Sequence, residues 1–283
     1  MTAENACTPS IAELPVGRQH AAATLLGKTI LYCGGYSSTG SRSDCFSYQL
    51  DKLDATWEQS ASMVYPRYVF SLVAVRGKAY AVGGVGAFGS TFEQITVESY
   101  SPGEGWEIKE EMRLPSITYH HCSVTIGSRI ITIGGTVSGS SNSNQVLQFN
   151  VDTPDQGWTR LESTKKGRQT HGCTVGNYQG QQGIFVTGGS NKGHNQVEFF
   201  VDAAQKWRDD IPVMTSHRHY HTSTIIRGAL YSHGGSGSEG TQELFNETTA
   251  TWTKSNLRRK RRYHNSVSLP EGTLSCFGGD NLG

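Results

Sequence analysis

Three histidines recur at every second position of the segment TSHRHYHTS, at His217, His219 and His221. In a β-strand their imidazoles would lie on one side of the sheet, because successive side chains alternate between its two faces. A zinc or copper ion needs three or four ligands. His219 and His221 could supply two of them, and His171 or His264 on a neighbouring strand could supply a third. A metal centre is therefore one interpretation of this segment, and it would indicate a metal-dependent enzyme.

Histidine also recurs at a regular place along the chain. Eight of the ten histidines stand at the start of an apolar run that the sequence predicts to be a strand: His20, His120, His121, His171, His217, His219, His221 and His264. Because one residue type recurs in successive runs, the other interpretation is structural, with each imidazole hydrogen-bonded to a neighbouring backbone group. The choice between the two depends on how the strands are arranged.

The composition of the 283-residue chain is that of a β-rich globular protein. It has 34 glycines, 35% apolar residues and 17% charged residues, which indicates short strands and many turns. The 25 basic residues nearly balance the 24 acidic ones, so no global field attracts nucleic acid or a membrane. No membrane span or secretory signal is recognisable, and we expect a cytoplasmic protein. The six cysteines lack CxxC spacing, so we expect buried free thiols.

A glycine pair after an apolar run occurs six times and organises the chain. The first glycines of these pairs are Gly34, Gly83, Gly134, Gly188, Gly234 and Gly278. Successive pairs are 44 to 54 residues apart, a period typical of the blades of a β-propeller. After each of the first five pairs an aromatic residue and then a tryptophan follow. These tryptophans are Trp57, Trp106, Trp158, Trp207 and Trp252.

The order of glycine pair, aromatic residue and tryptophan resembles the Kelch repeat over essentially the whole chain. The resemblance implies an all-β fold, a six-bladed β-propeller of Kelch repeats that forms one domain over residues 1–283. The blades are expected at residues 16–63, 64–114, 115–164, 165–214, 215–257 and 258–283 plus 1–15. Cys7 stands where the other repeats have a tryptophan. We therefore expect the N-terminal strand to complete the last blade and close the ring, although the third strand of that blade has no clear donor.

The same resemblance predicts a binding site. In Kelch propellers the loops that lead into the first strands open on one face, which commonly binds peptides. Arginines and tyrosines mark these lead-in loops: Arg18, Arg67, Arg168, Arg218 and Arg262, with Tyr68, Tyr119, Tyr220 and Tyr263. We predict a pocket for an acidic or phosphorylated peptide, because arginine offers a planar fork for such groups and tyrosine supplies contact area. The alternative is that the arginines join blade to blade through backbone carbonyls.

The loops after the glycine pairs add two candidate contacts on the same face. Phe88 is the expected apolar anchor, and His194 lies in the loop SNKGHN. Ordinary turn chemistry is the alternative for these loops. The run RRKRR, residues 258–262, is expected to be a solvated connection between two repeats. A nuclear-localisation or nucleic-acid patch is the other interpretation of this run.

No catalytic signature of the hydrolase, metalloprotease, phosphate-loop or dinucleotide-binding type occurs in the sequence. We therefore predict a protein-interaction module that binds a partner protein or peptide on the loop face around the channel, as a scaffold or adaptor. It is expected to be a monomer that needs no cofactor and binds neither nucleic acid nor a membrane. The alternative is a metal-dependent enzyme of the Kelch-propeller type, with His171, His219 and His221 as candidate ligands.

Overall fold

Five four-stranded antiparallel sheets follow one another along the chain, and we number them blades 1 to 5. The computed structural model describes residues 11–86, 95–190, 195–269 and 274–281. Blades 1 and 2 consist of Ala22–Leu26, Thr29–Cys33, Cys45–Gln49 and Glu58–Ser60, and of Ser71–Val75, Lys78–Val82, Val97–Ser101 and Gly105–Ile108. Blades 3 and 4 consist of Cys122–Ile126, Arg129–Ile133, Val146–Asn150 and Thr159–Arg160, and of Gly172–Tyr178, Gln181–Thr187, Val197–Val201 and Lys206–Arg208. Blade 5 consists of Thr222–Ile226, Ala229–His233, Thr241–Asn246 and Thr251–Asn256.

A two-stranded terminal hairpin follows blade 5, formed by Asn265–Ser268 and Leu274–Phe277. The remaining elements fully within the described ranges are three short strand pairs and two 3-10 helices: Tyr36–Ser37 with Gly40–Ser41, Thr118–Tyr119 with Thr136–Val137, Arg261–Arg262 with Asp280–Asn281, Glu110–Met112, and Pro154–Gln156. Across the described parts of the chain, no helix has the length and apolar character needed to cross a membrane.

The all-β propeller is confirmed, but the prediction of six blades is wrong. The described residues form five such blades, and in those residues no further strand pairs with the outer side of Leu274–Phe277. Each of the six glycine pairs marks the end of a second strand, whereas each of the five tryptophans marks a complete four-stranded blade. Ring closure by an N-terminal strand is not confirmed, and residues 1–10 lie outside the described part of the chain.

The glycine pairs connect each blade to the next one. Gly83 and Gly84 of blade 2 have φ angles of 61° and 99°. A Cβ on Gly83 would lie 2.4 Å from the carbonyl oxygen of Thr118, so only glycine fits there. The N–H of Gly84 donates to that same carbonyl at 3.0 Å. Equivalent bonds at 2.8 to 3.0 Å occur at all six pairs: Gly35 to Arg67, Gly84 to Thr118, Gly135 to Arg168, Gly189 to Arg218, Gly235 to Arg261 and Gly279 to Arg18.

A second ring of backbone hydrogen bonds surrounds the channel where the first strands begin. Its six members have φ angles of 51° to 56° although none is glycine: His20, Val69, His120, Thr170, Tyr220 and Tyr263. The N–H of each member donates to the carbonyl of the previous one at 2.8 to 3.2 Å, and His20 donates to Tyr263. Left-handed non-glycine residues cost about 1–3 kcal/mol each and persist only where neighbours hold them. These bonds therefore fix the backbone around the channel.

The tryptophans connect the outer strands of neighbouring units. Each indole packs on the aromatic residue of the third strand, as Trp207 does on Phe200 with centroids 5.1 Å apart. Each Nε1 donates to a backbone carbonyl of the segment before its own blade at 2.7 to 3.0 Å: Trp57 to Ala12, Trp106 to Ala61, Trp158 to Met112, Trp207 to Glu162 and Trp252 to Pro212. Ala12 thus takes the place that the segments leaving blades 1 to 4 take for the following blades.

Apolar side chains fill the space between neighbouring sheets. One cluster of buried residues joins blades 3 and 4 and includes Ile131, Ile133, Ile184 and Phe200, which have at most 1% of their surface exposed. Burying a side chain of this size contributes about 1.5–3 kcal/mol. Packing between blades therefore holds the ring together and positions the loops at its two ends.

Among the described residues, two disulfides contradict the expectation of buried free thiols for four of the six cysteines. Cys33 and Cys45 face each other on the second and third strands of blade 1, and their sulfurs are bonded. Cys122 and Cys173 join the first strands of blades 3 and 4. Because disulfides persist mainly in oxidising compartments, the cytoplasmic location stays a prediction. The thiol content of the protein taken from its own cells under alkylating conditions would test that location.

Reduction is expected to destabilise the protein mainly through the bond between blades. The Cys122–Cys173 bond closes a loop across 51 residues, whereas Cys33–Cys45 closes one across 12. Loop entropy assigns about 4 kcal/mol to the first bond and about 3 kcal/mol to the second. We expect Cys122→Ser with Cys173→Ser to lower the urea midpoint further than Cys33→Ser with Cys45→Ser. An equal or reversed order would show that blades 3 and 4 hold together without the bond.

Candidate functional site

The lead-in arginines lie inside the blades and not at an exposed rim. Arg67 has no exposed surface, and its guanidinium donates to the carbonyl oxygens of Gly83 at 2.7 Å and Thr96 at 3.2 Å. It also contacts the carboxylate of Glu98 at 2.5 Å, and Glu98 is itself fully buried. The prediction that Arg67 binds a partner is therefore wrong, because its charge is already matched inside the fold. Bonding to backbone carbonyls, the alternative interpretation, describes what it does.

The same correction applies to Arg18, Arg168 and Arg218, all of which are buried. Arg218 donates to the carbonyl oxygen of Gly234 at 2.9 Å and to Glu243 at 3.0 Å. Arg168 donates to the Gly188 carbonyl and Arg18 to the Gly34 carbonyl, and they pair with Glu198 and Asp44. Each arginine thus bonds its own blade's first glycine, at the end of the second strand.

The carboxylates of this arrangement were missed by the sequence reasoning. The Glu98 oxygens accept the N–H groups of Val64 at 2.6 Å and Tyr65 at 3.1 Å, in addition to the Arg67 guanidinium. Two other blades repeat this arrangement. The backbone N–H groups of Lys165 and Lys166 donate to Glu198, and those of Thr215 and Ser216 donate to Glu243. The sequence nevertheless indicates these carboxylates, because in these three blades a glutamate precedes the third-strand aromatic residue by two positions.

Blade 3 lacks both partners of this ion pair. Thr118 stands where the other blades have the arginine, and Leu147 stands where three of them have the glutamate. Pro115 occupies the position of Val64 and has no N–H that would need the carboxylate. Arginine and glutamate are therefore present together or absent together in blades 2 to 5, which marks them as one structural unit.

A ring of half-buried side chains remains at the end of the channel where the glycine pairs lie. We call it the mouth ring and its side of the molecule the mouth face. Its members are Gln19, Tyr68, Tyr119, Gln169, His219 and Arg262. Each precedes a left-handed ring residue, and its backbone pairs with the residue after a glycine pair, as Tyr68 does with Val85. The lead-in loops therefore place these six side chains, and not the arginines at the repeat position, around the mouth.

Tyrosines gather on the mouth face over blades 1 to 3. The rings of Tyr36 and Tyr68 have centroids 5.2 Å apart, and Tyr36 is 43% exposed. Burial raises the pKa of Tyr68, and the neighbouring hydroxyls of Tyr36 and Tyr119 raise it further. We call Tyr36, Tyr68 and Tyr119 the tyrosine cluster. Two of its members were predicted, whereas Tyr36 was missed because it follows a glycine pair and not a lead-in arginine.

Four aromatic rings fill the channel below the mouth. His20 and Tyr263 have centroids 4.4 Å apart, as do Tyr220 and Tyr263, and His120 lies 5.7 Å from Tyr220. Burial lowers the pKa of His120 to about 4. The predicted partner contacts Tyr220 and Tyr263 thus pack mainly against each other in the channel. They line, with several imidazoles, a cavity of about 110 Å³.

Four of the histidines act as spacers between units. The Cε1 atoms of His121, His171 and His264 lie next to the first glycine of the preceding blade. In blade 2 the ring of Phe70 takes the place of the imidazole. His221 Nε2 lies 2.9 Å from the hydroxyl of Thr187 on the preceding blade. Burial lowers the pKa of His121 and His264 to about 3 and holds those of His171 and His221 well below the usual value. These imidazoles are therefore neutral and have a structural place between units. His221 and His264 contact threonine hydroxyls, however, and not the backbone groups that the structural interpretation expected.

The candidate metal ligands are not gathered around one point. His171 and His221 are buried between blades, whereas His219 belongs to the mouth ring and lies against Tyr220 at 5.3 Å. In the ranges that the structure describes, no group of three or more His, Cys, Asp or Glu side chains is placed to hold a metal ion. The arrangement therefore does not favour the metal-dependent enzyme.

Arg262 is the predicted arginine that does reach the mouth face. Its guanidinium lies 5.0 Å above the ring of Tyr263, whereas Arg261 takes the repeat position and donates to the Gly278 carbonyl at 3.2 Å. The neighbouring basic residue, not the predicted one, therefore has the structural role. The other two predicted contacts, Phe88 and His194, lie outside the described residues.

A second cavity of about 330 Å³ opens at the opposite end, between blades 4 and 5. Its floor is apolar, with Phe185, Ile225 and Leu230, and Arg227 and Glu247 lie at its rim. The turns between first and second strands form this end, so it is separated from the mouth face by the length of the sheets.

Comparison with curated proteins gives Kelch-repeat relatives, although no family model matches the chain. Kelch-like protein 36 of Bos taurus is 26% identical over 280 residues, which cover 93% of this chain and 42% of that protein. Kelch-like protein 41b of Danio rerio is 25% identical over 193 residues, which cover 67% of this chain and 31% of that protein. The chain therefore spans between about a third and two fifths of the length of these relatives.

A solved structure gives the same fold. The structure of YjhT superposes with a TM-score of 0.78 at 17% identity, covering 96% of this chain and 94% of that chain. The glycine pairs, the third-strand aromatic residues and the tryptophans all occupy equivalent places in successive blades. With these repeats, these relatives and this architecture, the chain is a β-propeller of Kelch-type repeats, similar to the Kelch-like proteins.

Proposed function

We propose that the mouth face binds a partner protein or peptide and that the chain acts as a protein-interaction module. The observation that carries this proposal is the tyrosine cluster, three neighbouring rings on one loop face beside a channel that aromatic side chains fill. Tyrosine combines a large contact area with a polar hydroxyl at low cost in conformational entropy, and it is enriched at the centres of interfaces. We propose that the chain binds its partner as a scaffold or adaptor in a larger assembly, as the resemblance to the Kelch repeat implies.

The backbone around the mouth suits such a role because it is already ordered. Two rings of backbone hydrogen bonds fix the lead-in loops and the glycine pairs. A partner that meets a rigid surface does not have to compensate for the entropy of ordering it. The side chains of the mouth ring are half-buried, so a partner can cover them further. We propose that the protein does this as a monomer.

Tyr68→Ala is expected to weaken partner binding about thirtyfold, which corresponds to about 2 kcal/mol for a residue at the centre of an interface. The partner is first identified by retention on the immobilised chain, and the affinity of the purified pair is then measured by calorimetry. Leu53→Ala is the matched control, because Leu53 is 90% exposed in a turn at the opposite end. Equal affinity of the Tyr68 variant and the parent protein would refute binding through the tyrosine cluster.

We further propose that residues 1–10 latch the ring by pairing beside the terminal hairpin. This is supported by Ala12, which accepts the Trp57 indole N–H at 2.8 Å as Ala61 does for Trp106. Deleting residues 1–10 is expected to lower the urea midpoint and to increase hydrogen exchange in Leu274–Phe277, whose outer side would lose its partner. Unchanged exchange in that strand would show that the N-terminal residues do not pair there.

A further inference from the structure

A run of five basic residues, 258–262, lies on the mouth face between blade 5 and the terminal hairpin. The last strand of blade 5, Thr251–Asn256, ends on this face, and Arg262 belongs to the mouth ring. The N–H of Arg261 donates to the carbonyl of Glu239 at 2.9 Å, in the loop after a glycine pair. We call this segment the basic run. It is anchored to the same loop framework that carries the tyrosine cluster.

The first three residues of the basic run keep their charges accessible to solvent. Arg258, Arg259 and Lys260 are exposed. Arg259 pairs with Glu13 at 3.5 Å, but the side chains are 59% and 86% exposed, so this ion pair contributes little. Within the described residues, neither Arg258 nor Lys260 forms an ion pair. The five cations exceed the net charge of +1 of the whole chain, so the remaining residues carry a net negative charge.

The cations of the run are held close together at a cost. Arg261 is fixed by its bond to the Gly278 carbonyl, and Arg262 by its position over Tyr263. Burial lowers the pKa of Arg261, and the nearby positive charge of Arg259 lowers it further. Carboxylates of a bound partner would remove this repulsion, because opposite potentials across an interface complement each other.

The buried arginines are not available to an acidic partner, whereas the exposed cations of the basic run are. Arg18, Arg67, Arg168 and Arg218 each have a carboxylate of their own inside a blade. We propose that the basic run is the docking site for a segment rich in Asp and Glu that belongs to the protein bound by the mouth face. This inference rests on the proposed function and names the chemical class of the partner.

The test uses a fluorescein-labelled peptide of alternating Glu and Gly, with a Lys and Gly peptide of the same length as the probe of opposite charge. The variant combines Arg258→Gln, Arg259→Gln and Lys260→Gln. Lys165→Gln with Lys166→Gln is the control, because both lysines are exposed in a lead-in loop on the same face. We expect the full chain to bind only the acidic peptide, the triple variant to lose about tenfold in affinity, and the control to keep it. Affinity should also fall as salt is raised.

Equal affinity of the triple variant and the parent chain for the acidic peptide would overturn the proposal. Tighter binding of a single-stranded oligonucleotide of matched charge would overturn it in favour of nucleic acid. The identified partner separates this inference from the proposed function. If the Tyr68→Ala variant no longer binds the partner and the triple variant still does, docking on the basic run is refuted and binding by the mouth face is supported. If the triple variant no longer binds the partner and the Tyr68→Ala variant still does, docking on the basic run is supported and binding through the tyrosine cluster is refuted.

Discussion

Replacing Arg67 by threonine is expected to lower the free energy of unfolding by about 3–5 kcal/mol, because it leaves the buried carboxylate of Glu98 without its partner. Glu98→Leu is expected to cost a similar amount, since it leaves the guanidinium buried and unpaired. Urea unfolding followed by tryptophan fluorescence measures both changes. Arg258→Thr, at an exposed position, is the control and is expected to leave stability within about 0.5 kcal/mol.

Blade 3 supplies a sharper form of this experiment. The combination Val64→Pro, Arg67→Thr and Glu98→Leu gives blade 2 the residues that blade 3 has at these positions. Because no buried charge and fewer unpaired N–H groups remain, we expect the combined variant to be more stable than either Arg67→Thr or Glu98→Leu alone. Such non-additivity is what coupled residues show. A combined loss equal to the sum of the single losses would mean that the arginine and the glutamate act independently.

Acidification from about pH 7 to about pH 5 is expected to lower the free energy of unfolding by at least about 6 kcal/mol, a large part of the stability of a typical domain. Five buried histidines cause this effect: His121, His171, His221, His233 and His264. Burial lowers the pKa of His121, His233 and His264 to about 3. It lowers the pKa of His171 and His221 well below the usual value. Urea midpoints measured over this pH range test the expectation.

The sign follows from where the protons bind. Below about pH 6.5 the unfolded chain protonates its histidines, whereas the folded chain keeps these five neutral. Stability is therefore complete above that pH and is lost as the pH falls toward the folded pKa values, by about 2 kcal/mol at pH 5 for each histidine whose folded pKa is about 3. His171→Phe imitates Phe70 and should reduce the slope by about 1.4 kcal/mol per pH unit. Leu53→Ala, at an exposed position without a titratable side chain, should not change it. The same slope in the His171 variant would contradict the buried-histidine account.

The sequence was sufficient to predict the repeat because the residues that define it have no substitutes. A Cβ at Gly83 would collide with a backbone oxygen, so the glycine pair must recur wherever a second strand ends. Each tryptophan needs a third-strand ring to pack on and a carbonyl for its Nε1, so it recurs with a complete blade. The period, the strands and the propeller follow from these two requirements.

The number of blades and the direction of the arginines could not be predicted in the same way. A glycine pair needs only a hairpin, so Gly278 occurs without the outer strands of a further blade among the described residues. An arginine in a loop can face solvent or the blade, and the loop sequence does not decide between them. The third strand does, because Glu98, Glu198 and Glu243 occur in the blades whose arginines they bind. Comparing the repeats with each other would have found that signal.

Photo-crosslinking of the identified partner tests the central claim most directly. A benzoylphenylalanine placed at Tyr68 on the mouth face is predicted to crosslink to the partner, whereas one placed at Leu53, in a turn at the opposite end, is predicted not to. The partner must be the purified one, and each labelled chain must unfold at the urea midpoint of the parent protein. Crosslinks from position 53 and none from position 68 would show that the mouth face is not the binding surface.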